Sequence, residues 1–95
     1  MHYTATLLIS TKDRKEELRC ALESALTQTD VSEILVFDDG SSDGTGEMVR
    51  TQFASVRYER SERSLGIVAA RNSAIRLARG SVVITIDDDC VFQSP

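Results

Sequence analysis

The sequence has no long apolar run and no cluster of basic residues anywhere in its 95 residues. A membrane-spanning helix needs about 20 mostly apolar residues, and neither end of the chain shows the pattern of a signal peptide. The formal net charge of −4 argues against a nucleic-acid-binding scaffold, because neutralising phosphates requires clustered lysine and arginine. We therefore expect a soluble, cytoplasmic protein that binds no nucleic acid and contains no membrane segment. A phosphate-bearing small ligand stays possible, since a bound divalent metal can reverse the local charge.

Cysteine is scarce, and familiar phosphate and calcium loops are missing. Cys20 and Cys90 match neither a zinc spacing nor a redox pair, so we expect reduced thiols, with Cys20 as a small apolar residue of a helix. Residues 43–46 (Asp-Gly-Thr-Gly) lack the Gly-Lys-Ser/Thr ending of a P-loop. Residues 39–43 lack the ligand series of an EF-hand. ATPase and calcium-sensor functions are thereby excluded.

Short runs of β-branched and apolar residues predict strands at residues 3–9, 33–37, 56–59 and 81–86. Apolar residues at three- and four-residue steps predict helices at residues 15–26, through residues 48–53, and at residues 68–78. Asp13 is a candidate N-cap of the first helix, and Gly80 a candidate C-terminal cap of the third.

The order of these elements is βαβαβαβ, with short connections. A chain of 95 residues can bury one modest core, so we expect residues 1–95 to form a single domain. The alternation predicts an α/β fold with a parallel four-stranded sheet and helices on both faces, similar to a Rossmann fold. Ligands of such sheets bind at the carboxyl ends of the strands. That rule selects the polar segments 10–14, 38–45 and 87–90, which we expect along one rim.

Three consecutive acidic residues follow the fourth predicted strand. Asp87, Asp88 and Asp89 would repel one another unless a cation joins them, and a divalent ion prefers such oxygen ligands. By strand alternation, Asp87 and Asp89 are expected on one side and Asp88 on the other. An isolated acidic triplet is more often a solvated turn, but its position at the end of an apolar strand favours a metal site.

Other rim residues carry weaker signals. Of the two acids that end the second strand, we expect Asp38 to close the following loop and Asp39 to face a ligand. Ser10 and Thr11 are candidates for contacts with a nucleotide, although a solvated loop is the more ordinary interpretation. Arg71 is equally suited to donate to a diphosphate or to pair with a surface carboxylate.

Three stretches together carry a family resemblance: residues 8–14 (Leu-Ile-Ser-Thr-Lys-Asp-Arg), residues 36–45 (Val-Phe-Asp-Asp-Gly-Ser-Ser-Asp-Gly-Thr) and residues 66–89, from Gly-Ile-Val-Ala-Ala-Arg-Asn to Ile-Asp-Asp-Asp. In order and spacing they resemble the N-terminal, nucleotide-sugar-binding portion of family 2 glycosyltransferases of the GT-A fold. The resemblance covers nearly the whole chain. The family often has Pro-Thr-Tyr-Asn-Arg after its first strand, whereas residues 10–14 here lack the proline and the base-stacking aromatic.

The resemblance implies roles for particular residues. Asp39 would contact the nucleotide base, usually uracil, and Asp87 and Asp89 would form the Asp-x-Asp pair. The first acid of that pair would lie near the ribose or a metal-bound water, and the second would bind magnesium or manganese on the diphosphate of the donor. No residue matches the catalytic base of the family, which comes from a later segment, so no catalytic residue is assigned.

We therefore expect a truncated donor-binding domain of an inverting glycosyltransferase, which binds a nucleotide-diphosphate sugar, in particular a UDP-sugar, through a divalent metal. We expect this domain alone to be inactive in transfer of the glycosyl group to an acceptor hydroxyl. One alternative is a non-catalytic α/β module used for self-association, for example as a homodimer through an exposed sheet edge, or for binding a partner. A receiver-like signalling domain is disfavoured, because no later strand supplies the lysine and hydroxyl that such acidic pockets need.

Overall fold

A computed structural model of the chain describes residues 4–28 and 30–91. Its elements confirm the predicted order and lie in the sequence as β1 (Ala5–Thr11), α1 (Lys15–Ala25), β2 (Glu33–Asp38), α2 (Thr45–Gln52), β3 (Arg57–Arg60), α3 (Ile67–Leu77) and β4 (Val82–Ile86). The strands fall within two residues of their predicted bounds, and the predicted start of the first strand at Tyr3 lies outside the described residues. None of the described helices has the length and apolar character required to cross a bilayer.

The four strands form one parallel sheet in the order β3-β2-β1-β4. The first two connections carry the chain from β1 outward to β3, and the third returns it across the sheet to the opposite side of β1. The border between β1 and β4 is therefore a topological switch point. In open parallel sheets the crevice beside such a point, at the carboxyl ends of the strands, is the usual ligand site.

Helices cover both faces of the sheet, as predicted. Helices α1 and α2 pack on one face, where the first core cluster is formed by Ile9, Leu18, Leu22, Val36, Met48, Val49, Phe53 and Val56. Helix α3 packs on the other face against a second cluster of Leu8, Leu35, Phe37, Ala70 and Ala74. Strand β1 contributes to both clusters, which explains why its sequence is a continuous apolar run rather than an alternating one.

Strand β4 is the edge strand next to β1, and one of its faces is only partly covered. Val82 and Ile84 lie on the same face as Ile86, which packs against the first core cluster. Their exposed fractions are 42% and 45%. No described element covers this face fully, so apolar surface stays in contact with solvent beside the switch point.

The predicted capping of α1 by Asp13 is wrong, because Asp13 adopts a left-handed backbone with φ 52° and directs its carboxylate to the neighbouring loop. There its Oδ1 accepts from the Ser42 amide at 2.7 Å, while its own amide donates to Ser41 Oγ at 2.8 Å. Asp43 in turn accepts from the Lys15 amide, in the first turn of α1, at 3.1 Å. The loops after β1 and β2 are thus joined by reciprocal hydrogen bonds.

Gly80 does not cap α3, which ends at Leu77 with Ala78 as its C-cap. Gly80 is needed for close approach to β1 instead. Its amide donates to Thr6 Oγ1 at 2.8 Å, and a Cβ at this position would lie 2.6 Å from the Thr6 amide nitrogen.

Cys20 lies in α1 as expected, but its side chain is exposed and does not join the apolar core. The buried face of α1 is formed by Leu18, Ala21, Leu22 and Ala25.

Candidate functional site

A cavity of about 600 Å³ opens at the carboxyl ends of β1 and β4, beside the switch point and under the start of α3. Volumes of about 300 to 1,000 Å³ are typical of small-molecule sites. The cavity is lined by residues of β1 and β4, of all three predicted rim segments, and of α3 with the loop before it. These residues are Leu8, Ser10, Thr11, Lys12, Arg14, Asp39, Ser64, Gly66, Ile67, Ala70, Arg71, Thr85, Ile86, Asp87, Asp88 and Asp89.

The structure brings every predicted site residue to this cavity. Ser10 and Thr11 end β1, and Asp39 follows β2. Arg71 reaches the cavity from α3, and the acidic residues Asp87 and Asp89 follow β4. These positions are separated by up to 79 residues in the sequence and meet because parallel strands end at the same rim. Their binding roles remain predictions.

The three acids after β4 differ sharply in their surroundings. Asp88 is buried and accepts from Thr11 Oγ1 at 2.9 Å and from Arg14 Nε at 3.0 Å. Asp87 and Asp89 are exposed at the cavity, and Asp89 makes only a longer contact to Arg14 Nη2 at 3.4 Å. A turn begins at Asp88, so strict alternation ends there and Arg14 contacts Asp88 and Asp89 together, contrary to the opposite sides expected.

Burial governs the ionisation of Asp88. Removal from water raises the pKa of this carboxyl, and the nearby Asp89 adds to that effect. The hydrogen bond from Thr11 and the charge of Arg14 act in the opposite direction without cancelling it. Asp88 therefore depends on Thr11 and Arg14 for its charged form, and each of its two oxygens contacts one of these residues.

Asp39 binds the loop that leads into α3. Its carboxylate accepts from the Leu65 amide at 2.7 Å, from Ser64 Oγ at 2.9 Å and from the Gly66 amide at 3.1 Å. Burial alone would raise the pKa of Asp39, but these hydrogen bonds and the charge of Lys12 outweigh burial and hold the pKa below its ordinary value. Asp39 is thus a buried anion that shapes one wall of the cavity.

Asp38, the preceding acid, faces away from the cavity and is completely buried. It accepts from the Ser41 amide at 2.8 Å and from the Tyr58 hydroxyl, and Arg60 lies 3.6 Å away. Burial and the bond to Asp38 raise the pKa of Tyr58 to about 12, so Tyr58 remains a neutral donor. The expectation that Asp38 closes its own loop is confirmed.

Comparison with known proteins decides the family. The sequence model described as "Glycosyl transferase family 2" matches residues 6–94. The chain belongs to glycosyl transferase family 2. It is 40% identical over 76 residues to a chondroitin synthase of Escherichia coli, covering 76% of this chain and 11% of that protein. It is 30% identical over 89 residues to the succinoglycan biosynthesis protein ExoU of Rhizobium meliloti, covering 90% of this chain and 26% of that protein.

Solved structures agree on the GT-A fold of this family 2 glycosyltransferase domain. A mannosyltransferase from Pyrobaculum calidifontis, solved in complex with GDP-Man and Mn²⁺, superimposes with a TM-score of 0.85 at 22% identity, over 99% of this chain and 30% of that one. The S. aureus TarS 1-349 structure in complex with UDP gives a TM-score of 0.79 at 24% identity, over 90% of this chain and 27% of that one. The chain thus spans less than a third of these glycosyltransferases.

The sequence-based prediction missed two contributors to the cavity of this family 2 domain. Arg14 belongs to the first motif but received no role, although its position after β1 places it on the same rim as the acids of β4. The loop at Ser64 and Gly66 also received no role, although it holds Asp39. Gly66 adopts φ 88° at the start of α3, a backbone that favours glycine, so the glycine itself was the signal in the sequence.

Proposed function

We propose that residues 1–95 form a donor-binding domain of a glycosyltransferase, which holds a nucleotide-diphosphate sugar, most simply a UDP-sugar, with the help of a divalent cation. The observation that carries this proposal is the convergence on one cavity of two exposed carboxylates, an arginine and a buried anion. The two relatives solved with GDP-Man and Mn²⁺ and with UDP support the ligand class.

The residues present fit a magnesium or manganese ion that is completed by substrate. Among the described residues, no group of three potential ligands is arranged to hold a metal by itself. Such ions, however, are commonly bound through one or two carboxylates plus the phosphates of the substrate. Asp87 and Asp89 are exposed at the cavity and make few bonds within the protein, so both can supply oxygen ligands. When bound, the ion would neutralise charge on the diphosphate leaving group.

The nucleotide would lie along the remaining rim residues. Ser10 offers its hydroxyl at the end of β1, whereas the hydroxyl of the neighbouring Thr11 already donates to Asp88 and lines the cavity from a buried position. Asp39 uses three of the roughly four acceptor positions of a carboxylate on the loop at 64–66, which leaves one for a donor on the base or ribose. Arg71, exposed on α3 and free of an ion pair with any described residue, can donate to phosphate oxygens.

In this proposal the chain holds and orients the donor, and its residues do not deprotonate the acceptor. Transfer requires a base that activates an acceptor hydroxyl for in-line displacement of the nucleoside diphosphate. No residue of the chain is assigned that role, so we expect donor binding without transfer. The inverting stereochemistry and the acceptor class are therefore not part of the function proposed for this chain.

Calorimetry with UDP tests the proposal directly. We expect the wild-type chain to bind UDP measurably in the presence of MnCl₂ and at least about tenfold more weakly with EDTA, because the cation joins Asp89 to the diphosphate. Asp89→Ala should lower the affinity with MnCl₂ to the EDTA level. Glu23→Ala, an exposed acid on α1, serves as the control and should bind like wild type.

Two outcomes would contradict the proposal. One is the absence of any heat of UDP binding to a folded wild-type chain. The other is the same manganese-dependent affinity in Asp89→Ala as in wild type, because the acidic residues after β4 would then be structural only.

A further inference from the structure

The guanidinium of Arg14 lies between two of the three acids that follow β4. Its Nε is 3.0 Å from Asp88 Oδ1, and its Nη2 is 3.4 Å from Asp89 Oδ2. Arg14 directly precedes α1, in the loop after β1, and so reaches the acids from the neighbouring strand of the sheet. It is the only described cation within 4.0 Å of these carboxylates.

The two contacts of Arg14 are unequal. Asp88 has a side chain only 12% exposed, and Thr11 Oγ1 holds its other oxygen at 2.9 Å. Asp89 has a side chain 60% exposed, and its contact is long. Ion pairs in solvent are weak and exchange readily, whereas a shielded, hydrogen-bonded pair is costly to break. Arg14 is therefore anchored on Asp88 and only loosely attached to Asp89.

The charges of Arg14 and of the three acidic residues bear on how a cation could bind beside them. Three carboxylates follow one another at Asp87, Asp88 and Asp89, and Arg14 neutralises the buried one. Two negative charges then remain within the triplet, on Asp87 and Asp89, which is the number that one divalent cation balances. A cation that binds Asp89 would meet the positive Nη2 group of Arg14, which lies 3.4 Å from Asp89 Oδ2.

We propose that Arg14 is a positioning residue that competes with the cation: its Nη2 group holds Asp89 in the cation-free protein and releases Asp89 when a divalent cation binds. Its Nε stays on Asp88 throughout, which keeps Asp88 out of the ligand set. This inference rests on the proposed function, since it presupposes a cation at Asp89. In this proposal Asp88 serves the protein scaffold, and Asp87 and Asp89 serve the cation.

The test is the affinity for Mn²⁺, measured both without nucleotide and with saturating UDP, by electron paramagnetic resonance of the free ion at low ionic strength. Arg14→Gln removes a positive charge beside the ion and frees Asp89, so we expect it to bind Mn²⁺ about three- to tenfold more tightly than wild type. Arg19→Gln, the same change on the outer surface of α1 where Arg19 pairs with Glu16 and Glu23, should alter the affinity less than about twofold.

Two further variants keep the test decisive. Arg14→Lys retains the charge, but one ammonium group does not span both acids, so its affinity should fall between wild type and Arg14→Gln. In an Asp89→Asn background Arg14→Gln should tighten Mn²⁺ binding less than it does in the wild-type background, because the ligand that Arg14 would release is gone and only the change in charge remains. Circular dichroism verifies that each variant is folded, and Arg14→Lys decides if Arg14→Gln does not fold.

Mn²⁺ affinity that is unchanged or lower in Arg14→Gln, relative to both wild type and Arg19→Gln, would overturn this inference while leaving the proposed function in place. A folded wild-type chain that takes up no Mn²⁺, with or without UDP, would overturn the proposed function and this inference with it.

Discussion

At the scale of single residues, neighbouring acids with the same chemistry have different surroundings. Asp38 is buried against Tyr58 and Ser41, whereas Asp39 turns to the loop at Ser64 and the cavity. The same division recurs after β4, where Asp88 is buried and Asp89 is exposed. The sequence indicates acidic strand ends, but only packing decides which acid of each group turns to the cavity.

Asp39→Asn should lower the free energy of unfolding by about 1 to 3 kcal/mol at pH 7, because an amide places donors where three N–H and O–H groups already donate. The pKa of Asp39 is lowered in the folded state, so its stabilising effect is present above its unfolded pKa of about 3.9 and is lost as the pH falls below that value. Urea unfolding between pH 7 and pH 3 measures both effects.

Asp30→Asn, at an exposed acid in the loop before β2, is the matched control and should remain within about 0.5 kcal/mol of wild type. The variant Asp39→Asn should also show a weaker loss of stability in acid than wild type. If Asp39→Asn matched Asp30→Asn at pH 7 and kept the full acid dependence, Asp39 would not be the anion that holds the loop.

At the scale of elements, periodicity predicted every strand and helix to within a few residues. The clearest strand signals were the continuous apolar runs of β1 and β2, which arise because the sheet buries both faces of these strands. The connections were less predictable. Asp13 joins the loop after β2 instead of capping α1, a long-range contact that local spacing does not encode. Gly80 likewise looks like a helix terminator in sequence, although its actual constraint is the backbone of Thr6 across the chain.

Gly80→Ala should destabilise the fold through this close approach. The added methyl group would lie 2.6 Å from the Thr6 amide nitrogen and 2.7 Å from Thr6 Oγ1, so the connection between α3 and β4 must move away from β1. We expect a loss of about 1 to 3 kcal/mol, seen as a fall of the melting temperature by at least about 4 °C. Arg79→Ala, an exposed neighbour, should change it little, and equal melting temperatures for the two variants would refute the close contact.

At the scale of the whole molecule, the parallel order of the strands follows from the alternation of elements, and it places all three rim segments together. The convergence of the site was therefore predictable once the fold class was. The position of β4 at the edge was not, because sequence gives no strand order for a chain of four parallel strands. This position leaves Val82 and Ile84 exposed and is the specific observation that favours self-association.

We expect the chain to self-associate weakly, with a light-scattering mass that rises above 10.5 kDa as concentration increases. Replacing both Val82 and Ile84 by lysine should return the mass to that of a monomer, because charge opposes burial of this strand face. Ile75→Lys, at an exposed apolar residue of α3, should leave the association intact. A monomeric wild-type mass at every concentration would exclude the edge as an interface.

The edge position of β4 also affects which part of the sheet opens first when the protein is warmed. Its backbone is held by a single neighbouring strand, so fraying of this part costs less than opening the centre of the sheet. The carboxylates at its tip would drift from Ser10 and Asp39 while most of the helical signal persists. Binding at the proposed site would then be lost to heat before the fold itself.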